Sequence, residues 1–242
     1  MTVCVVSAFY KIPSKMPYEW YLPNIVNFFK SVKAVPVVFF TTPDVIEDIQ
    51  QHTTTEHVKI IYLPFEDLNA FKKHGVEFWE RQKLRDKQEY HTYQLGAVWY
   101  EKKEFVLRAM DVQRSDVYIW CDAGCIRDQL SITLSSTFGT RTTYDLNDNR
   151  MHIQQVNDDQ KETFYTFSYR FVAGALIAGN VSAWKEYSEL YDSTLLKYDM
   201  NGVPGTSDQY ITKSCIDDRP ELFVLYPHNS TIDHWFKFLE ML

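Results

Sequence analysis

Trp120-Cys121-Asp122-Ala123-Gly124 closes an apolar run with a carboxylate, a small residue and a glycine. A carboxylate in that position can hold a divalent cation, and the lack of bulk after it lets a diphosphate come close to the backbone. The same residues serve equally as a turn-forming Asp-x-Gly, so the spacing alone leaves both readings open. Lys102, upstream in a segment of helical periodicity, is either a cation for phosphate or a stem laid along the core with its ammonium in water. Asp208 follows the turn Asn201-Gly202-Val203-Pro204-Gly205, where a short helix begins, as a helix cap or as a carboxylate facing a reacting group. Arg108 and Arg127 are further candidate cations for phosphate, and Asp128 is a supporting carboxylate or a solvent-facing one. Cys121 and Cys125 stand close together but lack zinc spacing, and all four cysteines read as reduced and structural.

Such groups need a scaffold. Val3 to Phe9, Val35 to Phe40 and Val58 to Leu63 are short β-branched and aromatic runs, expected as strands buried on both faces. Tyr18 to Val32 has helical spacing, and Thr42-Pro43-Asp44 opens a second, capped helix. Strand alternating with helix predicts an α/β fold with a mainly parallel central sheet flanked by helices. The polar stretch from Phe65 to Gln88 is a solvated helix or excursion, or else a loop over the active site. From Tyr93 a long helix is expected, then a central strand Val117 to Cys121 that carries Asp122 at its carboxyl end, where open α/β sheets bind ligands. Leu130 to Glu162 has too weak a periodicity to place. Phe171 to Asn180 is apolar and rich in small residues, Ser182 to Asp199 is helical, and a short helix from Ser207 and a strand at Leu222 to Tyr226 precede an aromatic tail. No linker composition divides residues 1–242, so one domain is expected.

Composition removes several classes of function. A formal charge of −7 with no Lys/Arg block argues against a nucleic-acid groove. No apolar run reaches the length of a membrane span, and the N-terminus reads as a first strand rather than a leader, so a soluble, cytoplasmic protein is expected. There is no Gly-x-Ser-x-Gly elbow, Walker loop, His-Glu-x-x-His or Gly-x-Gly-x-x-Gly after the first strand.

Taken in order, Trp99-x-x-Lys102-x-x-Phe105, the strand ending in Asp122-Ala123-Gly124, the segment Val172-Ala173-Gly174-Ala175 to Gly179-Asn180, and Ser207-Asp208-Gln209 resemble the HtrL/YibB-like family of glycosyltransferases. The resemblance runs over most of the chain, and its specific part is the central block. More widely, the order is similar to the landmarks of GT-A-type glycosyltransferases. The resemblance implies a GT-A-like fold and transfer of a sugar from a nucleotide-sugar donor, by family habit a UDP-sugar, to a glycan or glycoconjugate acceptor.

It also implies roles. Asp122 would hold Mn²⁺ or Mg²⁺ against the donor diphosphate, with His228 or His234 completing the metal site. Ser7, Lys102, Ala123, Gly124 and Gly174 would line the donor site beside Asp122, and Asp208 would face the acceptor or the transferred sugar. Gly124 stands where the GT-A pattern has a second Asp, which thins the shell of a cation that prefers six oxygens. A nucleotidyltransferase, or a non-catalytic nucleotide- or glycan-binding module of the same fold, are the rival readings. The first is disfavoured because Ser7-Ala8-Phe9-Tyr10-Lys11 carries no glycine.

Overall fold

The computed structural model of the chain describes residues 1–53, 56–140, 145–157, 171–227 and 237–240. In chain order the elements are β1 (Val3–Ala8), α1 (Tyr18–Ser31), β2 (Val37–Thr41), α2 (Pro43–Thr53), β3 (Val58–Tyr62), α3 (Asn69–His74), α4 (Val76–Arg85), α5 (Tyr93–Val112) and β4 (Val117–Cys121). They continue with α6 (Gln129–Ser135), β5 (Met151–Gln155), β6 (Val172–Asn180), α7 (Val181–Met200), α8 (Asp208–Asp218) and β7 (Phe223–Tyr226). The seven strands form one sheet in the order β3-β2-β1-β4-β6-β5-β7. Neighbours pair in parallel except on the two sides of β6, which runs against both β4 and β5. The expected mainly parallel α/β sheet is therefore present.

Alternation along each strand sends successive side chains to opposite faces. Cys4, Val6, Val38, Phe40, Tyr118 and Trp120 enter the core beneath α3, α4, α5, α7 and α8. Val3, Val5, Val37, Phe39, Val117 and Ile119 enter the core beneath α1, α2 and α6. Coverage of both faces explains why β1, β2 and β4 read as unbroken apolar runs. β3 does not share that burial: it is the edge strand, and Tyr62 at its end is 58% exposed.

The polar stretch after β3 is helical with a solvated outer face, as one expectation had it, rather than a loop over the site. It folds into α3 and α4, which bury Trp79 completely and let its Nε1 donate to the Ala70 carbonyl at 2.8 Å. In the unplaced region lie α6 and β5; the inward-facing His152 and Gln154 of β5 are polar but buried, His152 on the Tyr226 hydroxyl at 2.7 Å and Gln154 on the Tyr226 carbonyl at 2.9 Å.

α5 organises the site. Thr92 caps it by accepting the Leu95 N–H at 3.0 Å, and its body lies between the sheet and the outer helices, so even Glu101, Lys102, Lys103 and Glu104 are buried. Buried ionisable groups need partners. Glu101 accepts the Asn69 and Ala70 N–H groups at the start of α3, at 3.0 and 2.8 Å. Lys103 pairs with Glu104 at 2.6 Å and with Asp192 of α7 at 2.8 Å. Lys102 turns instead towards the strand ends.

Candidate active site

The carboxyl ends of the parallel strands form one edge of the sheet, and the reversal of β6 brings its first residues to that same edge. Asp122 stands where the two meet. Its N–H donates to the Ala175 carbonyl at 2.8 Å, one rung beyond the last residue of β4. The chain then turns, with the Cys125 N–H on the Asp122 carbonyl at 3.0 Å. Arg127 follows; its Nε donates to the Gly124 carbonyl at 2.9 Å, and its guanidinium lies 5.2 Å from the centre of the Trp20 ring. Asp128 does not join the site: it is exposed, as one expectation had it, and caps α6 in a reciprocal capping box with Ser131.

Lys102 links the carboxylates. Its Nζ lies 2.7 Å from Asp208 Oδ2, 3.2 Å from Asp122 Oδ1 and 2.9 Å from the Gly174 carbonyl. Asp122 Oδ1 also accepts the Trp120 indole N–H at 2.7 Å, while Oδ2 has no donor among the described residues. Asp208 is the first residue of α8, where the helix dipole favours a negative charge. It can sit there only because residue 174 is glycine: a Cβ on Gly174 would stand 2.5 Å from Asp208 Oδ2. Gly174 thus makes room first for the Asp208 carboxylate.

Burial works to lower the Lys102 ammonium, but the charges of Asp122 and Asp208 outweigh it and hold the group above its ordinary value, fully charged. Desolvation by the protein packed around it raises the Asp122 carboxyl above its usual range even though part of the side chain reaches the clefts; the Lys102 charge opposes this shift and the Asp208 charge adds to it. Of the three side chains, Asp122 alone is substantially open, at 37%, against 8% for Lys102 and 9% for Asp208.

Two adjoining clefts meet at this triad. The first, about 290 Å³, is lined by Phe9, Tyr21, Trp99, Ala123, Gly124 and Tyr210 among others. The second, about 260 Å³, holds Gly174, Ala175 and Asp208. Lys15, Trp99, Lys102, Asp122, Arg127 and Gln209 border both. The structure therefore brings together Lys102, Asp122, Ala123, Gly124, Gly174 and Asp208.

Ser7 does not line the clefts, contrary to expectation: it is fully buried, and its hydroxyl donates to the Cys121 carbonyl at 2.6 Å and ties β1 to the end of β4. Arg108 points away, onto the Asn69 side-chain oxygen at 2.7 Å. Cys121 and Cys125 are both free and buried, with their sulfurs 3.1 Å apart. His228 and His234 lie outside the described residues. The aromatic walls, Lys15 and His91 carry no motif, and only the fold gathers them.

Among the described residues no three His, Cys, Asp or Glu side chains converge as a metal cage. What they offer a divalent cation is one open carboxylate oxygen, Asp122 Oδ2, with room for the ligand's own oxygens and water. That fits a cation held between protein and diphosphate rather than one caged by protein alone.

No protein-family model and no curated protein matches the sequence. Among solved structures, the chain is similar to a glycosyltransferase involved in the glycosylation of the major capsid of PBCV-1, with a TM-score of 0.50 and 9% identity over 96% of this chain and 84% of that one. A 4-diphosphocytidyl-2C-methyl-D-erythritol synthase from Anaerococcus prevotii matches with a TM-score of 0.44 and 10% identity, over 99% of this chain and 94% of that one. At such identities the first likeness establishes the fold: a GT-A-like α/β sheet. No helix among the described residues is long and apolar enough to cross a membrane.

Proposed function

We propose that this chain is a glycosyltransferase that moves a sugar from a nucleotide-sugar donor, a UDP-sugar in the first instance, to a glycan or glycoconjugate acceptor. The observation that carries the reading is the Lys102 bridge between Asp122 and Asp208 at the sheet edge, with Gly174 clearing the space beside it. The ordered resemblance to the HtrL/YibB-like and wider GT-A-type proteins supports it, as does the GT-A-like fold.

In this reading the Phe9 and Tyr21 side of the larger cleft takes the nucleoside, and the diphosphate lies over Ala123 and Gly124, where side-chain bulk is absent. Lys102, Lys15 and Arg127 offset its charge. The carboxylate of Asp122 would hold Mn²⁺ or Mg²⁺, which supplies Lewis-acid stabilisation of the departing diphosphate. The transferred sugar lies in the second cleft against Asp208, whose position is fixed by Lys102 and by the first turn of α8. Charge already in place when the leaving group departs needs no reorganisation, and this is where such a site gains most of its rate.

The test is incubation with a panel of nucleotide sugars, Mn²⁺ and mixed glycan acceptors, reading nucleotide release and labelled sugar transfer. Release of the nucleoside diphosphate with transfer is the expected result. Affinity without release would make the chain a binding module, and pyrophosphate release from sugar phosphate and nucleoside triphosphate would make it a nucleotidyltransferase.

A further inference from the structure

Away from the triad, the larger cleft is walled by a histidine whose geometry is set from behind. His91 is 4% exposed, and its Nδ1 lies 2.6 Å from Oδ2 of Asp86, itself buried. Asp86 also takes the Gln88 N–H on Oδ1 at 2.8 Å and the Thr206 hydroxyl on Oδ2. Burial works to raise Asp86, but the bonds from His91, Thr206 and Gln88 outweigh it and hold the carboxyl below its usual range. An ionised carboxylate accepts and cannot donate, so the proton of the His91–Asp86 bond sits on Nδ1. In the neutral imidazole Nε2 then carries the lone pair. It has no partner among the described residues and is not among their sealed polar atoms, so it opens on the cleft that His91 lines.

The surroundings say what such an acceptor meets. Tyr90 and Trp99 pack edge-on to the His91 ring at 4.6 and 4.9 Å, and Tyr210 and Gln209 line the same cleft. Asp122, Ala123, Gly124 and Arg127, from the end of β4 and the turn after it, line the same cleft. An aromatic wall with a fixed lone pair and an amide suits a sugar ring: apolar C–H faces on the rings, a hydroxyl on Nε2.

We propose that His91 binds the acceptor sugar, with Nε2 accepting a hydrogen bond from one of its hydroxyls and Asp86 acting through His91 as a positioning residue. This rests on the glycosyltransferase reading and adds where the acceptor lies.

The test uses the full chain loaded with UDP and Mn²⁺. Methyl β-D-galactopyranoside, methyl β-D-glucopyranoside and methyl α-D-mannopyranoside are titrated to tens of millimolar and followed by saturation-transfer NMR, with UDP affinity measured in parallel. His91→Asn keeps an amide donor for Asp86 and removes Nε2; His91→Gln returns an acceptor near the Nε2 position. At least one glycoside should bind the parent, weaken about tenfold in His91→Asn, as expected for one hydrogen bond to a neutral group, and recover part of the loss in His91→Gln, with UDP affinity unchanged in both. Equal glycoside binding by parent and His91→Asn overturns the proposal, as does an equal loss of UDP or binding of no glycoside to the UDP-loaded parent. Failure of the parent to bind UDP overturns the glycosyltransferase reading itself, and this proposal with it.

Discussion

Lys102 Nζ and Asp208 Oδ2 meet at 2.7 Å inside the fold although 106 residues separate them in sequence. Removing one partner of a buried pair leaves the other charge uncompensated, so Lys102→Met should destabilise the chain by roughly 3 kcal/mol in urea unfolding. Asp208→Asn removes the opposing charge, so the double variant should cost less than the sum of the two singles. Strict additivity would mean that the pair contributes no coupling.

Gly174→Ala tests the space beside Asp208. A methyl group there must displace the carboxylate, with an overpacking cost of about 1–3 kcal/mol. Turnover should fall much further than nucleotide affinity, because the displaced group lies beyond the donor's diphosphate. Kinetics at saturating donor, set beside a calorimetric titration with UDP, separates the two effects; an equal loss in both would place Asp208 with the nucleotide instead.

The open oxygen of Asp122 gives a third expectation. Asp122→Asn keeps an acceptor for the Trp120 indole and removes the charge, so turnover should drop by about a hundredfold or more, the scale of losing one electrostatic contact in a closed site. EDTA should stop the parent's turnover and Mn²⁺ restore it. Turnover indifferent to chelator would put the whole diphosphate charge on Lys102, Lys15 and Arg127.

Glu101 makes stability depend on pH. Burial raises its carboxyl from 4.5 to about 7, against the pull of the Asn69 and Ala70 N–H groups. The folded chain therefore holds a proton that the unfolded chain has released, and stability falls as pH rises from about 4.5 through about 7. Glu101→Gln should flatten that descent. Urea midpoints at closely spaced pH values check it, and parallel curves for parent and variant would show that Glu101 is ionised throughout.

How much of this was legible in the sequence follows the range of each signal. Asp122 and Gly174 stood out because a strand-end carboxylate and a small-residue run are local patterns. The orientation of Lys102 was not readable: α5 is covered on several sides, so its buried residues include Lys102 and Lys103 in succession and no polar stripe marks the exposed face. β5 escaped detection because His152 and Gln154 face inward, and β3 was over-read because an edge strand has the same residue types as a central one. His91 was invisible, since its partner Asp86 is completed by Thr206 from the far end of the chain. Ser7 was expected at the donor, but alternation sends its side chain to the strand-end carbonyl of Cys121 and not into the clefts.

The rung between the Asp122 N–H and the Ala175 carbonyl extends the sheet into the first residue of the site. In hydrogen exchange that amide should behave like those of Tyr118 and Ile119, released only when the sheet opens as a whole, while Gly124 two residues on exchanges from the native state. The boundary between rigid frame and adjustable surface then falls inside the Asp122-Ala123-Gly124 motif. Asp122 meets every ligand already in place, and whatever adapts on binding starts at Ala123.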